Sequence, residues 1–290
     1  MSGIWQDLRY AARVLGKNPG ITTIMVLTLA LAIGATTAIF SVVYGVLLRP
    51  LPYSRADRIM AISEETSKGR PSRLADPNFD DFRDQSHSFQ SIAKYSPDVV
   101  TSISGASQPM RTPAAWVTPE FLSVFGVVPI VGRDFIARDN GKGAAPVALV
   151  SYGYWRQYLG STQDLSQSHL KINNAIYSVI GVVPSGFRFP NDADVWMAAD
   201  VDGENPSRTS HNYSALGRLK DGVSIAQARQ DISAIARRIY QESSEKTDYL
   251  LRDGIVVPLQ DSITGTVRSA LPEASQWPEW STARACTALS

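Results

Sequence analysis

The stretch ITTIMVLTLALAIGATTAIFSVVYGVLL, residues Ile21–Leu48, decides how this chain is organised. It contains no charged residue, no histidine, no proline and no asparagine. The hydrocarbon core of a bilayer is about 30 Å thick, and an α-helix needs about 20 apolar residues to cross it. At about 1.5 Å per residue, a helix over this stretch reaches about 42 Å, which is enough to span with tilt. The stretch therefore predicts one membrane-spanning helix, followed by a longer and more polar part of the chain.

A cleaved signal peptide is the alternative to a permanent anchor. Ala30-Leu31-Ala32 has the small residues of a signal cleavage site. The apolar core of a signal peptide is only about 7–15 residues long, whereas this stretch continues well beyond the candidate site. We therefore predict a helix that stays attached to the chain.

The basic residues beside the stretch do not decide its orientation. Three precede it and three follow it: Arg9, Arg13 and Lys17, then Arg49, Arg55 and Arg58. The positive-inside rule compares such flanks, so it gives no preference here. A large domain after the helix can be exported regardless of these charges.

Residues 1–20 show the pattern of an amphipathic helix. Its apolar positions recur at helical spacing: Ile4, Leu8, Ala11, Ala12 and Leu15. The basic residues of this segment lie on the other side, which suits a helix in the plane of the lipid headgroups. A soluble helix packed on a protein partner is the alternative. Asn18-Pro19-Gly20 predicts a break before the membrane.

Small residues recur along the predicted span. They are Ala30, Gly34, Ala38, Ser41 and Gly45. Small side chains let two helix backbones approach closely in lipid, where no hydrophobic force draws helices together. We expect this stripe to pack against further helices. The alternative is that such residues are common in any spanning helix.

Residues 49–268 alternate short strands with short helices, which predicts an α+β domain of mixed architecture with βαβ units. Expected strands include Ile59–Ser63, Val147–Val150 and Ile255–Leu259. Expected helix starts are the caps at Asp76 and Ser151 and the capping box of Ser224 with Gln227. Phe89 and Ile92 are expected to continue the same apolar face after a break that ends the helix beginning at Asp76.

Composition and motifs argue against several classes of protein. The net charge is +1, from 28 basic and 27 acidic residues, so no basic field points to nucleic acid. Neither a phosphate-binding loop of the G-x-x-x-x-G-K-[ST] type nor a G-x-S-x-G elbow occurs. The residues considered for chemistry are His87, His169 and His211, Cys286, and the acidic group Asp76, Asp80, Asp81 and Asp84. None has metal-ligand or catalytic spacing, so we predict no enzyme, no metal and no cofactor.

A set of motifs stands on both sides of the span. They are Asp7–Arg13, Lys17–Gly20, Leu48–Tyr53, Phe121–Gly126, Gly132–Phe135, Pro146–Trp155, Gly181–Phe187 and Gly217–Ser224. Together, over about residues 1–270, the chain resembles MacB-like (FtsX-type) permeases of ABC transport systems. The resemblance is strongest to the large duplicated permeases that often lack a neighbouring ATPase.

The resemblance implies a location, a mechanism and partners. It implies a bacterial inner membrane, a cytoplasmic N-terminus and a periplasmic or extracellular core domain between the first and second spanning helices. ATP hydrolysis in a partner would move the helices and with them the external domain, for export or for transmission of force. The implied partners are the membrane, a cytoplasmic ATPase subunit, and further permease helices or a second permease copy.

The sequence departs from the family after Arg268. The family continues there into a second apolar span, whereas residues 269–290 read SALPEASQWPEWSTARACTALS. The prolines, acidic residues and tryptophans exclude a helix through lipid. We expect an irregular tail, read out of frame, and hence a fragment of a permease.

Two other classes of function compete with the permease. One is a single-span protein whose external domain binds a partner or acts as a scaffold without transport. The other is a membrane-anchored enzyme, which the missing catalytic constellation disfavours.

Overall fold

The computed structural model describes residues 3, 9–10, 13, 15, 17–43, 51–104, 110–141, 143–173, 175–199, 207–244 and 246–265. The chain divides into two compact units. One contains Met1–Pro50 with Thr266–Ser290, and the other, called here the α+β domain, is Leu51–Gly265. The predicted irregular tail over residues 269–290 lies outside the described residues.

The apolar stretch forms helix α1, Pro19–Val43. Its segment Pro19–Ala38 has a mean hydropathy of 1.9 and contains no buried residue, and its length and composition suit a membrane crossing. Proline is favoured in the first turn of a helix, and Asn18 directly before it is not helical. The helix thus begins two residues before its predicted start, and the predicted end over residues 44–48 lies outside the described residues.

Three threonine hydroxyls of α1 are satisfied within the helix. Thr23, Thr28 and Thr36 each donate to the carbonyl four residues earlier, at 2.8 Å. Polar groups in the hydrocarbon region have no water to bond, so they must find partners in the protein. These bonds let a helix with several threonines face lipid.

The α+β domain contains, in its described residues, eleven strands that form one sheet. They are β1 (Ile59–Thr66), β2 (Pro71–Ser72), β3 (Phe89–Ser104), β4 (Met110–Val117), β5 (Val131–Gly132), β6 (Val147–Val150), β7 (His169–Ile172), β8 (Ala175–Val182), β9 (Val195–Ala198), β10 (Ser214–Leu219) and β11 (Leu251–Pro258). The helices include α2 (Asp76–Gln85), α3 (Phe121–Phe125), α4 (Tyr152–Tyr158) and α5 (Ile225–Glu242), with short 3-10 turns at Ala56–Arg58 and Ala137–Asn140. Residues 259–265, directly after β11, are also helical. The predicted α+β class is confirmed.

The sheet runs in the order β11-β1-β10-β3-β4-β9-β6-β8-β5. Its pairs are antiparallel except β4 with β9 and β6 with β8, which are parallel. Strand β7 pairs with both β3 and β8, so β3, β4, β9, β6, β8 and β7 form a closed ring of paired strands. The parallel strands β6 and β8 are connected through α4 and β7, so a strand as well as a helix lies between them in the chain.

Two hydrophobic clusters cover the two faces of the strands β11, β1, β10 and β3. Helices α2 and α5 form one cluster, in which Phe79, Phe82 and Ile232 pack against Met60 and Ile62. Helix α3 forms the other, which includes Ile59 and Leu216 of the strands. Side chains alternate between the two faces along a strand, so neighbouring residues of β1 belong to different clusters.

Phe89 and Ile92 follow α2 after a break and reach the same apolar cluster, as expected. The helix ends at Gln85, and both residues belong to β3. The Asp231 carboxylate of α5 accepts hydrogen bonds from the Ser86 hydroxyl at 2.6 Å and from the backbone N–H groups of His87 and Ser88 at 2.9 Å. This anchor turns the chain out of the helix, although Phe89 and Ile92 still reach the cluster that contains Phe79.

Two of the three predicted caps are confirmed. Ser151 Oγ accepts from the Tyr154 N–H at 3.0 Å, and Ser224 forms the capping box with Gln227. The cap residue of α2 is instead Ala75, without a side-chain bond. The Asp76 carboxylate bonds Lys94 rather than the helix terminus, because burial of that ammonium requires a partner.

Candidate functional site

Both chain connections of the α+β domain lie at the same end of one strand pair. Strands β1 and β11 are antiparallel, with Met60 opposite Pro258 and Ile62 opposite Val256. Opposed Cα atoms in such a pair are about 4.5–5.5 Å apart. The chain that leads into β1 and the chain that leaves β11 therefore start side by side. We call residues Leu51–Arg58, which lead into β1, the strap.

The strap belongs to the hydrophobic core and is not a free linker. Leu51 and Tyr53 pack against the cluster formed around α3. The Tyr53 ring lies edge-on to Phe125 and Phe187, with ring centroids 4.7 and 5.8 Å away. Burial, aided by the negative charge of Asp192, raises the pKa of Tyr53 to about 12.

A buried arginine fixes the strap from β10. Arg218 is 8% exposed, and its Nε donates to the Val124 carbonyl at 2.7 Å while Nη2 donates to the Ser54 carbonyl at 3.0 Å. Burial, together with the nearby charges of Arg55 and Arg58, lowers the pKa of Arg218. One guanidinium thus joins the strap, the end of α3 and β10.

Two further arginines join the strap to the turn after β10. Arg58 donates to the carbonyls of Leu219, at 3.4 Å, and Lys220. Arg55 forms an ion pair with Asp221 at 2.8 Å. The three arginines connect the strap to the end of β10 and to the turn that follows it.

A second cluster of polar groups is buried at the other end of β1. Glu64 is fully buried and accepts hydrogen bonds from the Ala75 N–H at 2.9 Å and from Asn78 Nδ2 at 2.7 Å. His211 Nδ1 lies 2.7 Å from Glu64 Oε1, and its Nε2 lies 2.9 Å from the Tyr249 carbonyl. Both ring nitrogens face acceptors, which favours the doubly protonated imidazolium. The hydrogen bond to Glu64 accordingly raises the pKa of His211.

Lys94 carries a second fully buried charge. Its ammonium bonds Asp76 and lies 5.2 Å from the ring centroid of Phe79 and 4.8 Å from that of Tyr213. A desolvated ammonium between aromatic faces gains cation–π attraction. Lys94 joins β3 to α2, and Glu64 joins β1 to α2. Both buried charges therefore stabilise the fold.

The structure also places the residues that the sequence singled out for chemistry. Among the aspartates, Asp81 pairs with Arg208 at 2.7 Å, and Asp80 and Asp84 pair with Arg83 at 3.1 and 2.7 Å. His169 lies 3.5 Å from the Ser178 hydroxyl. Within the described residues, no group of three or more His, Cys, Asp or Glu side chains is arranged to hold a metal ion. Cys286 lies outside them.

The predicted packing stripe lies on α1. Ala30, Gly34, Ala38 and Ser41 are exposed, and a Cβ added at Gly34 would meet no atom within 4 Å. Gly45 lies outside the described residues. The role of the stripe in helix packing stays a prediction.

The sequence did not predict that Glu64, His211 and Arg218 connect different elements of the domain through buried hydrogen bonds. Glu64 carried a usable signal, because Met60, Ile62 and Glu64 alternate on the buried face of β1. His211 and Arg218 carried none, since their partners are distant in the sequence.

These features define a class of protein: an α+β domain with both connections at one end of a strand pair, in a chain whose described residues include one helix long and apolar enough to cross a membrane. The family profile described as MacB-like periplasmic core domain matches residues 22–235. The chain therefore belongs to this family, whose members are components of ABC-type permeases.

Solved structures support the same fold. The periplasmic region of MacB from Actinobacillus actinomycetemcomitans superposes with a TM-score of 0.54 at 13% identity, covering 73% of this chain and 94% of that one. A domain of a putative permease protein from Porphyromonas gingivalis gives 0.53 at 16% identity, covering 71% and 92%. At such identities the likeness concerns the fold alone. Comparison with curated protein sequences gave no match.

Proposed function

We propose that this chain is a permease subunit of an ABC-type export or mechanotransmission system. Residues 1–20 lie on the cytoplasmic face of a bacterial inner membrane, residues 21–48 cross it, and residues 49–268 form the periplasmic or extracellular domain. ATP hydrolysis in a partner subunit moves this domain through the membrane helices. The chain itself carries no catalytic step.

The pairing of β1 with β11 is the observation that carries this proposal. Because Met60 lies opposite Pro258, both connections of the domain start from one end of one strand pair. A domain with this arrangement can be displaced as a body by membrane helices on that side. The strap supports the same function, since Tyr53 and Arg218 fix it to the core.

Site-specific photo-crosslinking tests the ATPase partner. Tyr10 is 70% exposed in the N-terminal segment, and Tyr249 is 66% exposed in the α+β domain. Each is replaced by benzoylphenylalanine, and the chain is irradiated in membranes of the bacterium that encodes it. We expect the probe at position 10 to capture a subunit that mass spectrometry identifies as an ABC ATPase, and the matched probe at position 249 not to capture it.

The alternative function is a single-span anchored binding or scaffold protein without transport activity. It predicts adducts of an extracytoplasmic protein at position 249 and no ATPase at position 10. That result would replace the permease proposal. An ATPase captured equally from both positions would also contradict it, because the two probes are proposed to lie on opposite sides of the membrane.

A further inference from the structure

We propose that the segment Val127–Ile130, called here the apolar loop, inserts the side chains of Val128 and Ile130 into the outer surface of the lipid bilayer. Val128 is 75% exposed and Ile130 is 49% exposed, with the half-buried Pro129 between them. Exposed apolar side chains next to each other mark a contact surface more often than isolated ones do. The inference rests on the membrane topology of the proposed function.

The loop is held in its outward position by its own backbone. The Val127 N–H donates to the Leu122 carbonyl at 3.0 Å, and the Ile130 N–H donates to the Val182 carbonyl at 2.8 Å. The Val127 side chain packs against the cluster around α3. With both ends bonded, the side chains of Val128 and Ile130 cannot fold back into the core without breaking these contacts.

The position of the apolar loop beside the strap favours the bilayer as the surface that the loop contacts. Gly126, directly before the loop, lies beside the strap, because a Cβ added at this glycine would be 4.0 Å from Ser54 Cβ and 3.5 Å from Arg218 Nη2. Ser54 follows Leu48, the last residue of the uncharged stretch, by six residues. Six residues span at most about 20 Å when fully extended. The start of the loop is therefore tethered close to the lipid surface.

The charges beside the loop indicate an apolar contact rather than an electrostatic one. Arg55 is paired with Asp221 at 2.8 Å, and Arg133 is paired with Asp139 at 2.6 Å. Paired arginines add little attraction for anionic headgroups. A protein with a spanning helix also holds the loop at a high local concentration near lipid, so two or three apolar side chains suffice for contact. The contact should therefore persist in zwitterionic lipid.

Nitroxide accessibility in the full chain tests this contact. The single native cysteine is removed as Cys286→Ser, and one spin label is introduced at Val128→Cys, with Ile130→Cys as a second, independent variant. The chain is placed in nanodiscs of phosphatidylethanolamine and phosphatidylglycerol, and in discs of phosphatidylcholine alone. Oxygen, which partitions into lipid, and a water-soluble nickel chelate are the two relaxing reagents.

Two matched positions serve as controls. Ile176→Cys is 65% exposed and lies at the opposite end of β8 from Val182, which bonds the loop. Leu31→Cys is 77% exposed on α1 and reports the bilayer interior. We expect the ratio of oxygen to nickel accessibility at positions 128 and 130 to exceed that at 176 severalfold in both lipids and to stay below that at 31.

Each other outcome overturns the inference. Water-like accessibility at 128 and 130, with a lipid-like label at 31, refutes the loop contact and leaves the membrane topology intact. Low accessibility to both reagents at 128 indicates a protein contact instead. Contact only in the discs with phosphatidylglycerol would refute its apolar basis. Water-like accessibility at 31 would refute the topology on which the inference rests.

Discussion

Glu64, Lys94 and Arg218 bring three charges into the interior of the α+β domain, where their exposure is 0%, 0% and 8%. A buried charge is tolerated only when it is paired and hydrogen-bonded. Each of the three finds partners on other elements: Glu64 on α2 and His211, Lys94 on α2, and Arg218 on α3 and the strap. The three buried charges therefore connect different helices and strands of the domain. Each connection has a defined geometry, in addition to the packing of the hydrophobic clusters.

The His211–Glu64 pair predicts a pH-dependent stability. The pKa of His211 is raised above 6.5 in the folded chain, so its contribution is fully present below pH 6.5 and is lost as the pH rises through the folded pKa. We expect the melting temperature in detergent to fall over that window and His211→Gln to remove this part of the fall. A variant at the exposed His169, His169→Gln, is the control. An unchanged pH profile in His211→Gln would contradict the pairing.

Arg218 predicts a local as well as a global effect. Replacement by Leu leaves the carbonyls of Val124 and Ser54 without their donor, at about 1–3 kcal/mol for the buried Val124 carbonyl and less for that of the exposed Ser54. We expect Arg218→Leu to lower the melting temperature by several degrees and to speed hydrogen exchange in the strap. Arg252→Leu, at an exposed position of β11, should change neither. Loss of stability without faster exchange in the strap would show that Arg218 does not hold it.

At the scale of elements, the sequence predicted features that depend on residues a few positions apart. It did not predict features that depend on partners far along the chain. The caps at Ser151 and Ser224 involve bonds over three residues, so the sequence could specify them. The spacing of Phe89 and Ile92 suits a helical face, but their backbone pairs with β10, far along the chain. Strand formation depends on such partners, which a local pattern does not contain.

The small residues of α1 yield a prediction for this element. Ala30 and Ala32 are both exposed and lie about 200° apart around the helix, so only one belongs to the proposed packing stripe. Ala30→Leu would hold a partner backbone away, because the larger side chain prevents close approach. We expect this variant to reduce disulfide or chemical crosslinking to partner helices or a second copy by about tenfold, which corresponds to 1.4 kcal/mol. The matched Ala32→Leu should leave crosslinking unchanged, and equal effects would argue against a specific face.

At the scale of the whole molecule, the sequence identified the long apolar helix, the α+β class and the family, because each depends on composition or on contiguous motifs. The sequence did not predict the closed ring of strands through β7 or the parallel pairing of β4 with β9. These pairings join segments that are distant in sequence, and many pairings fit the same hydrophobic pattern. The most useful result for function, the adjacent connections at β1 and β11, belongs to this second group.

The orientation in the membrane is the last prediction, since the flanking charges give no preference and the proposed mechanism requires the α+β domain outside. In a Cys286→Ser background, Arg13→Cys and Ile176→Cys each provide one exposed thiol, on either side of α1. We expect a membrane-impermeant maleimide to label position 176 in spheroplasts directly and position 13 only after permeabilisation. The physical reason is that a thiol reacts only from the compartment that it faces. The reverse labelling would put the domain in the cytoplasm and rule out the proposed transmission of movement across the bilayer. Immediate labelling at both positions would show that α1 does not span.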